Sequence, residues 1–266
     1  MSVSTIGEIP RQAAARFGDK TALVFGGRRV SFAEIDLLAS RVAGGLRALG
    51  VDAGDRVTLY AQNSVEWIAS YYAIARVGAV LNPINVMLTP DEVAYVVKDC
   101  GAKVLFTTAD RAAPILPLKA DGDLAEIVVF GEADGAASFD DLAASGANEF
   151  EPAAVDPESL STICYTSGTT GFPKGAMLSH RSVVLNAAVT AAMNMRTEHD
   201  VQLTALPCAH VYGGTLMNLN FLFGSTLALY ERFDAGEALQ GIQEHRATIT
   251  DGVPTMYLYM LAHPEF

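Results

Sequence analysis

Short apolar runs alternate with segments of helical periodicity along most of this chain, and this alternation constrains its fold more than any other feature. Strand patterns occur at residues 57–60, 79–81, 103–107, 126–130 and 161–165. Two helices have clear starts, since Ser31 and Glu34 form a capping-box pattern and Thr89 precedes Pro90. Strands that alternate with helices in this way are typical of parallel sheets covered on both faces. We therefore predict an α/β fold with two doubly wound parallel-sheet layers and flanking helices.

The remaining strand patterns form an N-terminal pair and a C-terminal group. The pair flanks a Gly-Gly turn within residues 21–30, and the group lies at residues 201–206, 225–229 and 248–251. Helices are predicted at residues 64–77, 110–118, 139–144, 182–195, 213–223 and 235–245. Residues 145–158 contain acids and prolines and are predicted to be an exposed connector. From this order we predict one α/β subdomain at about residues 50–180 and part of a second at residues 20–50 plus 181–266.

The charge balance restricts the partners that this chain can bind. Among its 266 residues, 30 are Asp or Glu and 18 are Lys or Arg, which gives a net charge of −12, while 50% are hydrophobic. This composition is typical of a protein with a packed core, and it argues against nucleic acid and anionic membranes as partners. An anionic substrate must therefore be bound by a local device, such as a glycine-rich loop, a helix N-terminus or one lysine.

The cysteines indicate a reducing compartment, the N-terminus gives no sign of secretion, and the histidines argue against a built-in metal site. Three cysteines stand far apart in no CxxC pair and five histidines form no HExxH motif, so we expect neither a disulfide framework nor a built-in transition-metal site. The first residues lack the pattern of a signal peptide. The uncharged stretch 211–230 contains Asn218 and Asn220, which a membrane-spanning helix would leave unpaired in lipid. We expect a cytoplasmic protein in which this stretch forms a buried helix and then a buried strand.

The segment from Tyr165 to Gly175 carries the strongest chemical signal. It places four Ser and Thr hydroxyls, three glycines and Lys174 directly after a buried strand pattern. Backbone amides and hydroxyls that converge at such a bend suit a polyphosphate, and the lysine supplies a point charge. The segment is not a Walker A loop, because Pro173 stands where that motif has glycine and Gly175 stands where it has serine or threonine.

This segment resembles the signature phosphate loop of the adenylate-forming enzymes, a superfamily of acyl-CoA synthetases, peptide-synthetase adenylation domains and beetle luciferases. Residues 76–85, 206–214 and 252–257 are similar to further motifs of that superfamily, and the amino acids in the last two segments favour a fatty-acid–CoA ligase type. Cys208 and Ala209 stand where the family usually has larger residues. The family's later motifs and its lysine-bearing C-terminal domain have no counterpart in this sequence. The resemblance therefore implies the N-terminal portion of a ligase, cut inside its large N-terminal domain.

The resemblance also implies site residues and cofactors. The residues expected to hold the ATP phosphates are Thr166, Ser167, Gly168, Thr169, Thr170, Gly171 and Lys174, and Thr166 is also expected to contact Mg²⁺. The residues expected around the acyl group or the adenylate are His210, Tyr212, Gly213, Gly214, Val253 and Pro254. The implied reaction joins a carboxylic acid to AMP, releases pyrophosphate and passes the acyl group to coenzyme A. Because the expected lining is apolar and uncharged, we expect a fatty or aryl carboxylate rather than an amino acid.

Two other interpretations stay open from sequence alone. The chain fits an adenylation domain that serves a carrier protein, and it also fits a nucleotide-binding or interaction module without turnover. By itself the 266-residue chain is expected to be inactive and to self-associate through uncovered sheet edges or apolar faces. For His180 a cap of the following helix is favoured over a phosphate contact, and Trp67, Tyr71 and Tyr72 are predicted to be core or interface aromatics.

Overall fold

The computed structural model describes residues 3–120, 124–166, 173–264 and 266. Within these ranges a 3-10 helix (Ile6–Glu8) precedes α1 (Ile9–Phe17), α2 (Phe32–Ala48), α3 (Val65–Arg76), α4 (Pro90–Cys100), α5 (Ala109–Ala112), α6 (Pro117–Ala120), α7 (Phe139–Ser145), α8 (His180–Met193), α9 (Val211–Phe223), α10 (Ala235–His245) and α11 (Pro254–Leu261). The strands are β1 (Thr21–Phe25), β2 (Arg28–Ser31), β3 (Arg56–Tyr60), β4 (Val80–Pro83), β5 (Ala102–Thr108), β6 (Glu126–Phe130), β7 (Ala137–Ser138), β8 (Leu160–Thr166), β9 (Lys174–Ser179), β10 (Val201–Thr204), β11 (Thr226–Leu229) and β12 (Ile249–Thr250).

The strands form two sheets with helices between them in sequence, so the α/β prediction is confirmed. One sheet has seven strands in the order β7-β6-β5-β3-β4-β8-β9, and the other has five in the order β12-β10-β11-β1-β2. Neighbouring strands are parallel except for β8 with β9 and β1 with β2. The sheets are therefore mostly parallel, with one antiparallel pair at an edge of each; the β1–β2 pair is the predicted hairpin, whereas β9 was not predicted. Strands β2 and β9 each follow their antiparallel partner after a short connection, because an antiparallel pair does not need a crossover helix.

Local sequence signals account for most of the element boundaries. In the β1–β2 turn, Gly26 and Gly27 have φ angles of 54° and 78°, the conformation that a two-residue hairpin turn requires. The predicted capping box of α2 forms, because the Glu34 N–H donates to Ser31 Oγ and the Ser31 N–H donates to the Glu34 carboxylate. The helix predicted at residues 110–118 is instead two one-turn helices, α5 and α6.

The core is continuous between the sheets, and α3 lies at its centre. Every residue of α3 except Glu66 is buried. The largest group of contacting buried side chains includes residues of both sheets, for example Val57 of the seven-stranded sheet and Leu23 of the five-stranded sheet. Trp67 stacks on Tyr71 with ring centroids 5.6 Å apart, and these rings and Tyr72 are buried as predicted for core aromatics.

The uncharged stretch 211–230 forms a buried helix and then a buried strand, as its two asparagines led us to predict. It contains α9 and β11, and Asn218 and Asn220 are fully buried within α9. Both asparagine side chains donate through Nδ2 to the backbone carbonyl four residues earlier, so their amide nitrogens are paired inside the protein. Across the four described ranges of the chain, no helix combines the length and the apolar character needed to cross a bilayer.

Candidate functional site

The antiparallel hairpin β8–β9 brings the two ends of the predicted phosphate segment together. Thr166, at the end of β8, is the register partner of Lys174, at the start of β9, and both side chains are exposed. The other five predicted phosphate-binding residues, Ser167, Gly168, Thr169, Thr170 and Gly171, lie outside the described residues. Thr166 and Lys174 are thus held side by side, each at the end of one strand of the hairpin.

A hydrogen bond from Tyr165 and the close packing of Gly175 hold this end of the hairpin in place. The Tyr165 hydroxyl donates to Asp99 Oδ2 at 2.5 Å, and burial together with this bond raises the pKa of Tyr165. A Cβ at Gly175 would lie 2.6 Å from Ile163 Cγ2 and 3.3 Å from the Tyr165 ring. Glycine is therefore required at this position of the motif by packing against β8, apart from any part it has in binding phosphate.

His210 is held by a loop that bridges the two sheets. It is the N-cap residue of α9, its side chain is exposed, and its N–H donates to the Pro207 carbonyl at 3.0 Å. The buried Asn63, just after β3, donates through Nδ2 to the Leu206 and Tyr230 carbonyls at 3.0 Å each. The loop that carries His210 is thereby tied to the carboxyl end of the other sheet. The sequence analysis did not select Asn63, and its only signal is a polar residue shortly after a strand.

A cavity of about 160 Å³ lies between β4, the β8–β9 hairpin and helices α3, α8 and α9. Its apolar or small lining residues are Pro83, Cys164, Leu178, Val183, Cys208, Ala209, Val211 and Gly214, and its polar ones are Tyr71, Thr162, Ser182, Asn186, His210, Thr215 and Asn218. No Asp, Glu, Lys or Arg is among these described lining residues. Burial raises the pKa of Cys164 to about 11 and that of Cys208 to about 12, so both thiols are uncharged near neutral pH.

The structure brings two of the six predicted acyl-site residues, His210 and Gly214, together in this cavity. Gly213 instead packs on the backbone, because a Cβ there would overlap the Pro207 carbonyl oxygen. Val253 and Pro254 are exposed at the start of α11 and do not line the cavity.

Tyr212 also lies outside the cavity lining, in a second polar cluster. Its hydroxyl donates to Asp251 Oδ1 at 2.8 Å, and burial together with this bond raises the pKa of Tyr212 to about 12. The other carboxylate oxygen of Asp251 accepts from Arg196 Nη2 at 2.6 Å and from Gln202 Nε2 at 2.9 Å. This cluster connects the N-terminal turn of α9 to the segment that precedes α11.

His180 does not cap α8, so that prediction is wrong. The cap is Ser179, whose side chain accepts from the Ser182 N–H. The buried His180 side chain accepts through Nδ1 from the Ile6 N–H at 3.3 Å, and it thereby fixes the N-terminal 3-10 helix. Burial lowers the pKa of His180 to about 4, which keeps the ring neutral at physiological pH.

Comparisons with known proteins identify the family of this chain and agree with its α/β fold. Residues 10–266 match the family model described as AMP-binding enzyme. A feruloyl-CoA synthase from an Amycolatopsis species is 34% identical over 265 residues, which are 98% of this chain and 51% of that protein. A long-chain-fatty-acid–CoA ligase from Archaeoglobus fulgidus superimposes with a TM-score of 0.90 at 26% identity, with 97% of this chain and 53% of that chain covered.

A third comparison is with an anthranilate CoA ligase, AuaEII, solved in complex with anthranoyl-AMP. It superimposes with a TM-score of 0.89 at 29% identity and covers 98% of this chain and 52% of that chain. This chain spans about half the length of the curated relatives it matches. Since the family model covers nearly the whole chain, the chain belongs to the AMP-binding enzyme family.

Proposed function

We propose that the complete protein containing this chain activates a carboxylic acid with ATP and transfers the acyl group to coenzyme A. In the first step a carboxylate oxygen bonds to the α-phosphorus of ATP and pyrophosphate leaves. In the second step the thiol of coenzyme A, having lost its proton, attacks the acyl carbon and AMP leaves. The relatives' names include three different CoA ligases or synthases, which favours coenzyme A over a carrier protein as the acceptor.

One observation carries this proposal: the hairpin that anchors the phosphate segment also forms a wall of the cavity. Thr162 and Cys164 of β8 and Leu178 of β9 line the cavity, while Thr166 and Lys174 end the same strands at the segment. His210 belongs to the lining of the same cavity. A nucleotide held at the hairpin end and an acid held in the cavity would therefore meet near one edge of the sheet, as ligands of α/β sheets commonly do.

The nucleotide would be bound by the residues that the motif supplies. We propose that the hydroxyls and amides of residues 166–171 bind the β and γ phosphates and that Lys174 pairs with their charge. No cluster of three or more His, Cys, Asp or Glu side chains suited to a metal occurs in the described part of the chain. A Mg²⁺ ion would therefore arrive on the phosphates of ATP, with the exposed Thr166 hydroxyl as a protein ligand of the oxygen type it accepts. When bound, it would neutralise phosphate charge in the reacting complex.

The cavity would hold the acid's tail, with the carboxylate near His210. An uncharged lining suits an aliphatic or aryl tail and excludes a charged one. The volume of about 160 Å³ is close to that of engineered cavities that bind benzene. We therefore propose a compact acid, with a tail of about one ring, rather than the long-chain fatty acid that the sequence motifs favour.

Acid-dependent exchange of labelled pyrophosphate into ATP by the complete protein tests this function. Lys174→Ala should lower the exchange rate at least tenfold, because a charge-assisted contact to phosphate is worth about 1.5–3 kcal/mol. Arg29→Ala serves as the control, since it removes one positive charge from an exposed position of β2, in the other sheet. Exchange that needs no acid, or equal rates for Lys174→Ala and the wild type, would contradict the proposal.

We also propose that the 266-residue chain self-associates through α11. The side chains of Leu258, Tyr259 and Leu261 on this helix are each at least 60% exposed, which is unusual for large apolar residues on one short helix. Replacing all three with serine should shift the chain toward monomer in light scattering. A monodisperse monomer for the unmodified chain would overturn this part of the proposal.

A further inference from the structure

Asp99 lies in the last turn of α4, where a negative charge is electrostatically unfavourable. The helix ends at Cys100, and the C-terminal end of a helix carries a partial negative charge that repels an acid. The Asp99 side chain is exposed, and its Oδ2 accepts from the Tyr165 hydroxyl at 2.5 Å, across 66 positions of sequence. This long-range bond gives the acid a structural role that the helix itself does not supply.

The end of α4 is a firm support for this bond. Arg56 of β3 donates through Nε to the Cys100 carbonyl at 2.6 Å and through Nη2 to the Gly101 carbonyl at 2.8 Å. Gly101 follows the helix with a φ of 61°, the left-handed conformation that commonly ends a helix. The last turn of α4 is thus tied to the seven-stranded sheet, and the sheet fixes the position of Asp99.

Tyr165 faces α4 and points away from the cavity. Thr162 and Cys164 of β8 line the cavity, whereas Ile163 and Tyr165 pack with the group of apolar side chains that includes the buried face of α4. Successive side chains of a strand point to opposite faces of a sheet. The bond from Tyr165 to α4 therefore lies on the face of β8 opposite the cavity.

Within the hairpin, Tyr165 adjoins both Thr166 and Lys174. It precedes Thr166 in β8 and is the register partner of Gly175, which follows Lys174 in β9. A Cβ at Gly175 would lie 3.3 Å from Tyr165 Cζ, so the ring is closely packed on the β9 backbone. Burial raises the pKa of Tyr165, which keeps the hydroxyl protonated as the donor. A shift of this ring would therefore displace Thr166 and Lys174 together.

We propose that Asp99 is a positioning residue for ATP binding, which acts through the Tyr165 hydroxyl to hold Thr166 and Lys174 in the arrangement that receives the phosphates. This inference rests on the proposed function. Because the bond lies on the face opposite the cavity, its loss weakens the binding of ATP and leaves the binding of the acid unchanged. A residue that served only stability would not separate the two substrates in this way.

The test measures ATP binding by calorimetry and the KM values for ATP and for the acid in pyrophosphate exchange by the complete protein. Benzoate, 3-phenylpropanoate and octanoate are tried, and the acid that supports the fastest exchange is used. Tyr165→Phe keeps the ring on Gly175 and removes only the hydroxyl, so it should raise the KM for ATP about three- to tenfold, the factor that one hydrogen bond corresponds to. The KM for the acid should stay within about twofold of the wild-type value.

Variants of Asp99 show whether the hydrogen bond is the cause. Asp99→Ala should weaken ATP binding as Tyr165→Phe does, and Asp99→Asn, which keeps an oxygen acceptor, should stay near the wild type. The double variant Tyr165→Phe/Asp99→Ala should bind ATP no more weakly than either single variant, because both remove the same bond. Asp91→Ala is the matched control, since it removes an exposed acid from the first turn of the same helix, and it should leave ATP binding unchanged.

Three results would each overturn the inference: equal ATP affinity in Tyr165→Phe and the wild type, an equal rise of KM for both substrates, or ATP binding in Asp99→Asn as weak as in Asp99→Ala. Absence of exchange by the wild type with all three acids would instead contradict the proposed function. The calorimetric titrations with ATP need no acid, so they decide the role of Asp99 separately.

Discussion

The Cys208 N–H donates to Asn63 Oδ1 at 2.8 Å, although the two residues are 145 positions apart in the sequence. Asn63 stands just after β3 of the seven-stranded sheet, and Cys208 lies in the loop after β10 of the five-stranded sheet. With its two other bonds, to Leu206 and Tyr230, this one amide connects the carboxyl ends of strands in both sheets. The position of His210, two residues after Cys208, therefore depends on a residue in the other sheet.

Asn63→Ala should lower the free energy of unfolding by about 2–4 kcal/mol, since it removes two buried hydrogen bonds and one part-buried hydrogen bond and leaves their backbone partners unpaired. It should also raise the KM for the acid, because the loop before His210 loses its anchor. Chemical denaturation and steady-state kinetics measure the two effects, with the neighbouring Gln62→Ala as the control. A change in stability below about 0.5 kcal/mol, within the usual range for surface substitutions, would contradict this role.

His180 should make the protein less stable below neutral pH. The folded state lowers its pKa from 6.5 to about 4, so the unfolded state binds the proton more tightly. The stabilisation that comes from keeping His180 neutral is therefore complete above about pH 6.5 and is lost as the pH falls toward 4. The free energy of unfolding should fall by up to roughly 3 kcal/mol over this range.

Denaturation at pH 7 and at pH 4.5 checks this expectation. His180→Gln retains an acceptor for the Ile6 N–H but does not titrate, so it should lose less stability on acidification than the wild type does. His199→Gln, at a side chain that is 87% exposed, is the control and should behave like the wild type. Equal acid sensitivity in His180→Gln and the wild type would remove His180 as the cause.

Gly175→Ala should disturb the hairpin end that anchors the phosphate segment. The new Cβ would lie 2.6 Å from Ile163 Cγ2, so β9 must move away from β8. Overpacking of this kind destabilises proteins by about 1–3 kcal/mol, and displacement of Lys174 should weaken ATP binding several-fold. Calorimetric titration with ATP measures the effect, and the exposed neighbour Ala176→Ser is the control. Unchanged affinity for ATP in Gly175→Ala would show that the hairpin end does not position the segment.

The sequence predicted those features that depend on neighbouring residues. Apolar periodicity predicted most of the strands. The Ser31–Glu34 capping box and the Gly26-Gly27 turn could be predicted because each depends only on residues that are close in sequence. Strand β9 was not predicted, since Lys174–Ser179 is mostly small or polar residues, half of them exposed, and it becomes a strand by pairing with β8.

Within the candidate site, the long-range contacts were the features that sequence reasoning missed. The motifs selected residues 166–174 and His210 as candidates, but the partners of Asn63 lie 143–167 positions away, and nothing local marks that asparagine. Asn218 was noticed only as an amide within an uncharged stretch. Its pairing with Tyr71, 147 positions earlier, exists only because α3 and α9 pack together around the cavity.

The most direct test of the proposed chemistry follows oxygen-18 from the acid. The complete protein is supplied with a carboxylic acid labelled in both carboxylate oxygens, ATP, Mg²⁺ and coenzyme A, and the nucleotide product is analysed by mass spectrometry. Because a carboxylate oxygen bonds to the α-phosphorus and remains there when the thiol captures the acyl group, we predict AMP that carries one oxygen-18 atom. Production of ADP with the label in inorganic phosphate, or of unlabelled AMP, would contradict adenylate formation by this protein.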